Sequence, residues 1–154
     1  MPFIENIAMA DVAEGRHFDA GSNSRLIQIL DNETNLLTSD FPTPKHQFRY
    51  INLFRFNDVE DDEQGAITQQ QAKTIAYLLK LSLEQNTNVI VHCVAGICRS
   101  GAVAAVGEEL GFAPAGKIKI PNCRVRTMLQ SELGIKINAD VSMFRQDFLN
   151  RLYD

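Results

Sequence analysis

The chain has 154 residues, 45% of them hydrophobic and 22% charged, the proportions of one soluble globular domain over residues 1–154 and not of a disordered or fibrous protein. A net charge of −4 without a Lys/Arg cluster excludes the electrostatic footprint of a nucleic-acid binder, and no apolar run approaches the roughly 20 residues of a membrane span. Three cysteines are too few for a disulfide scaffold, and the N-terminus lacks the basic-then-apolar order of a secretory signal, so reduced thiols and a cytoplasmic location are expected.

In chain order, a weak strand is expected near Ile4 to Met9 and a firmer one over Arg25 to Leu30. Asp31 to Lys45 reads as one long connection, and Phe48 to Phe56 as the next strand. Thr68, followed by Gln71, has the spacing of a capping box, and Ile75, Leu78, Leu79 and Ser82 then recur at helical intervals to about Gln85. The short β-branched run Asn88 to His92 suits a buried central strand. A small-residue helix follows Arg99 and closes at Gly111, Pro121-Asn122 opens another that ends near Gly134, and Asp140 caps a last one through Arg151. The order predicts an α/β fold: a mainly parallel sheet of four or five strands, flanked by helices, with a helical C-terminal part.

The segment His92-Cys93-Val94-Ala95-Gly96-Ile97-Cys98-Arg99-Ser100 falls where the central strand gives way to a helix. Free amides at a helix N-terminus, together with the helix dipole, make such a junction an oxyanion site. Gly96 lets the backbone curl so that amides of Val94 to Cys98 converge, and Arg99 can fork onto two phosphate oxygens. The field that binds a phosphate or sulfate anion also stabilises a thiolate, making Cys93 a nucleophile. Ser100 is placed to donate its hydroxyl to that sulfur, and His92 to shape the loop through a ring N–H in preference to acting as a base. A proton donor for the leaving group is sought among Asp58, Asp61 and Asp62. Cys98, in the same loop, is either a small filler or a partner for an oxidised Cys93. Lys45, His46 and Cys123 read as residues without chemistry.

The string from His92 to Ser100 resembles the phosphate-binding loop of the protein tyrosine phosphatase superfamily: Cys, five residues, Arg, then Ser or Thr. The mid-chain position of the loop, the helix from Thr68 and Pro121-Asn122 are similar to the small dual-specificity phosphatases, a likeness that spans about residues 25–133. The resemblance implies a cysteine-phosphatase fold and a phosphocysteine intermediate on Cys93. It implies Asp58 as general acid and a shallow site open to phosphotyrosine and to phosphoserine or phosphothreonine in proteins or peptides. It calls for no metal or other cofactor. The loop carries no lysine of its own, which argues against a phosphoinositide substrate. Two other readings remain at this stage: a rhodanese-like sulfurtransferase, which would not need Asp58, and a phosphate-binding module without turnover.

Overall fold

The computed structural model describes residues 1–37, 41, 43–115 and 119–135. The five strands among the described residues are β1 (Phe3–Ala8), β2 (Ser24–Leu30), β3 (Tyr50–Arg55), β4 (Asn88–Cys93) and the two-residue β5 (Ala113–Pro114). They form one sheet in the order β3-β2-β4-β1-β5, every pairing parallel. The helices among the described residues are α1 (Met9–Glu14), α2 (Gln69–Glu84), α3 (Arg99–Leu110) and α4 (Cys123–Leu133).

The run Asn88 to His92 is the central strand, extended by one residue, with Val89, Ile90 and Val91 fully buried. Strands flank it on both sides and both sheet faces are covered, so apolar side chains serve either face. The strand expected over Phe48 to Phe56 runs from Tyr50 to Arg55, with Phe48 and Phe56 buried just beyond its ends. The segment near Ile4 is no marginal strand: β1 lies directly beside β4, in a register that sets Ala8 opposite Cys93. Its sequence signal is weak because buried Glu5 and Asn6 interrupt the apolar run. α1, whose N-cap Ala8 makes no side-chain hydrogen bond, and the very short β5 are not predicted from the sequence.

α2 begins as expected, with Thr68 and Gln71 closing a reciprocal capping box. Its buried stripe includes Ile75, Leu78, Leu79 and Ser82, each fully buried aliphatic side chain contributing about 1.5–3 kcal/mol. α3 is buried from Arg99 to Gly107, and its small residues make that possible. A Cβ on Gly107 would come within 2.8 Å of Ile4 Cδ1, so glycine is what lets the helix lie this close to β1. α4 starts at Asn122, whose side chain accepts a hydrogen bond from Val125 N–H, and ends at Gly134 in the left-handed conformation. The helix expected from Asp140 to Arg151 lies outside the described residues. No helix among the described residues is long and apolar enough to cross a membrane.

Candidate active site

β4 ends on Cys93 and α3 begins on Arg99, so Val94 to Cys98 form the loop between them. Cys93 sits at its base with 3% of its surface exposed. Its Sγ accepts a hydrogen bond from Gly96 N–H at 3.2 Å and lies 3.2 Å from Ser100 Oγ. Gly96 holds φ at 74°, and a Cβ there would lie 2.3 Å from the Ile7 carbonyl carbon. Glycine is therefore required twice, by the left-handed turn and by the contact with β1.

The loop's carbonyl oxygens are bound from outside. Val94 O accepts from Met9 N–H at 3.3 Å and Gly96 O from Asn6 Nδ2 at 2.7 Å. Ile97 O accepts from Ile120 N–H at 3.3 Å, and Cys98 O from the N–H groups of Ala102 and Asn122 at 2.9 and 3.0 Å. In a trans peptide the N–H points opposite to the C=O. With those oxygens drawn outward, the following amides of Ala95, Ile97, Cys98 and Arg99 turn the other way, the arrangement an anion cradle needs.

Arg99 is buried, and its Nη1 donates to Asp31 Oδ1 at 2.6 Å and to the Phe56 carbonyl at 2.8 Å. These bonds fix the guanidinium plane from one edge, while Nε is buried with no hydrogen-bond partner among the described residues. A planar fork held this way can offer its other edge to two oxygens of one ligand. Asp31 is not among the site residues expected from the sequence; its position directly after a strand that neighbours the central one is the available signal.

Asp58 is exposed and its Oδ1 accepts a hydrogen bond from Asn122 Nδ2 at 2.7 Å. The same amide reaches the Val59 carbonyl at 3.2 Å, while Asn122's own N–H binds Cys98 O. A single buried residue thus joins the Asp58 segment to the start of α4 through its side chain and to the exit of the Cys93 loop through its backbone. Asp61 and Asp62 are also exposed, and Asp62 pairs with Arg124 at 3.3 Å. Asn122 was expected to open a helix; its hold on Asp58 was not foreseen.

His92 is buried, and burial, assisted by the charge of Arg99 and opposed by a hydrogen bond with the Cys93 backbone, lowers its pKa from 6.5 to about 4. At neutral pH it is an uncharged part of the frame behind Cys93. Lys45 and His46 line a separate depression with Gly15, His17 and Asp19, of about 370 Å³. Cys98 is half-buried and Cys123 exposed.

No protein-family model and no well-characterised protein matches the sequence. Among solved structures, the chain is similar to the human tyrosine phosphatase-like serine/threonine/tyrosine-interacting protein at 18% identity and a TM-score of 0.51, covering 100% of this chain and 95% of that one. Human DUSP28 is matched at 14% identity and a TM-score of 0.49, over 99% of this chain and 95% of the other. The parallel sheet and its flanking helices form an α/β fold that the chain shares with that tyrosine phosphatase-like protein.

Proposed function

We propose that the chain is a cysteine-dependent phosphate monoester hydrolase acting on phosphoproteins, on phosphotyrosine and on phosphoserine or phosphothreonine. The observation that best supports this reading is the outward tethering of the loop carbonyls around Cys93, beside an Arg99 whose Nε has no hydrogen-bond partner among the described residues. Asn32 and Asn57, the residues that follow the Asp31 and Phe56 anchors in sequence, help to line a cleft of about 640 Å³ with Arg55 and Gln64.

In the first step the Cys93 thiolate attacks phosphorus, the P–O ester bond breaks, and Asp58 protonates the leaving oxygen. The loop amides and Arg99 stabilise the equatorial oxygens throughout. In the second step water attacks the phosphocysteine, gives its proton to Asp58, and the sulfur leaves with a hydrogen bond from Ser100, 3.2 Å away. Inorganic phosphate and the resting thiolate result.

The test is hydrolysis of an aryl phosphate by the wild type, Cys93→Ser and Asp58→Ala. Loss of all turnover in the first and a large fall in kcat with little change in KM in the second are expected. Wild-type protein that binds phosphate without turnover, or that moves sulfur from thiosulfate instead, would overturn the proposal. Full activity in Asp58→Ala would transfer the acid role to Asp61 or Asp62.

A further inference from the structure

Asn6 lies inside a parallel sheet, fully buried, between Glu5 and Ile7. A primary amide in such a place costs free energy unless it is hydrogen-bonded. Its Nδ2 reaches 90 residues along the chain to donate to Gly96 O at 2.7 Å, within the Cys93 loop. Of the five donors among the described residues that bind the loop's carbonyls from outside, four are backbone N–H groups of Met9, Ala102, Ile120 and Asn122. Asn6 supplies the fifth, which is the one made by a side chain.

We infer that Asn6 is a positioning residue that sets the orientation of the Gly96–Ile97 peptide, and through it the anion affinity of the loop and the reactivity of Cys93. Two geometric facts give it that leverage. Gly96 stands at φ 74° with its Cα against the β1 backbone, the point at which the loop reverses direction. A left-handed glycine has alternative conformations open to it, so the peptide that follows needs an external constraint to stay in one. The Asn6 amide provides it by holding Gly96 O toward β1, which turns Ile97 N–H to the opposite side. Without the tie, that peptide is free to rotate and to present an oxygen where an anion requires a donor.

The experiment uses the resting protein, so that its outcome does not depend on whether the chain hydrolyses phosphate monoesters. Vanadate affinity, the rate of Cys93 alkylation by iodoacetamide at near-neutral pH, and thermal stability are measured for wild type, Asn6→Ala, Asn6→Thr and Ile4→Val. Threonine suits a strand and keeps a polar group without the reach of the amide, so it serves if the alanine variant fails to fold. Ile4→Val trims the core in the same strand, where Ile4 packs against Gly107 of α3. Loss of one buried hydrogen bond at the cradle is expected to weaken vanadate binding about tenfold and to slow alkylation by a similar factor. Ile4→Val lowers the melting temperature and leaves both readings at their wild-type values. Vanadate affinity and alkylation unchanged in either folded Asn6 variant would overturn the inference and leave Asn6 a purely structural residue.

Discussion

Acidification probes the frame behind the nucleophile through His92. In the unfolded chain an imidazole takes up its proton near pH 6.5, whereas in the folded protein burial and the neighbouring Arg99 charge hold that event down to about 4. Between those values the unfolded state binds the extra proton, so falling pH favours unfolding; above 6.5 the contribution of His92 to stability is fully present. The gap between 6.5 and about 4 amounts to roughly 3 kcal/mol, lost progressively across that window. With urea m-values of about 1–3 kcal/mol/M, the unfolding midpoint should fall by about 1–3 M from this one residue. Many carboxylates titrate in the lower part of the same range, so the informative quantity is a difference. Urea unfolding, followed by far-UV circular dichroism because the chain has no tryptophan, is measured from pH 7 to 4 for the wild type and for His92→Asn. The wild type should lose roughly 3 kcal/mol more than the variant over this interval. Parallel curves would show that His92 takes its proton in the folded protein as readily as in water, and the picture of an uncharged, buried frame would be wrong.

Other predictions concern the loop and its tethers. Gly96→Ala must lift the loop off β1, because the added Cβ meets Ile7 at 2.3 Å and the residue keeps a positive φ; aryl phosphate kcat/KM should fall about 100-fold and stability by about 1–3 kcal/mol, and a variant with wild-type turnover would contradict the proposed geometry. Asn122→Ala removes both the Asp58 contact and the cap of α4, so about 1 kcal/mol of stability should be lost in thermal or urea unfolding. Its fall in kcat should be larger for substrates with poor leaving groups than for activated aryl esters; equal losses across the series would detach Asn122 from acid catalysis. Asp31→Asn keeps the shape but not the charge opposite Arg99 Nη1, and vanadate should bind about tenfold more weakly, measured by competition.

The strand, loop and helix around Cys93 were legible because their signals are local. A β-branched run gives way to Cys93, a glycine allows the turn at Gly96, and Arg99 opens a helix of small residues within the next dozen positions. The tethers were not legible, for the opposite reason. Asn6 meets Gly96 across 90 residues, Asp31 meets Arg99 across 68, and Asn122 meets Asp58 across 64. Each pairing exists only once strand order is known, and strand order is a property of the whole sheet. Asp58, chosen by resemblance, lies in the segment that Asn122 ties to the loop exit, while Asp62 is turned to Arg124.

The difficulty of reading β1 has the same origin as its importance. A strand between β4 and β5 with both faces covered would be expected as an unbroken apolar run, and Phe3-Ile4 followed by Ile7-Ala8 nearly supplies one. Glu5 and Asn6 break it, at a desolvation cost that hydrogen bonds must offset: Glu5 accepts from Phe18 N–H, and Asn6 donates to the Cys93 loop. Local pattern and global fold disagree most at sites that serve more than packing. The polar interruption that makes β1 look marginal is where the strand reaches across to Gly96, and replacing it with apolar residues should firm up the strand while loosening the loop.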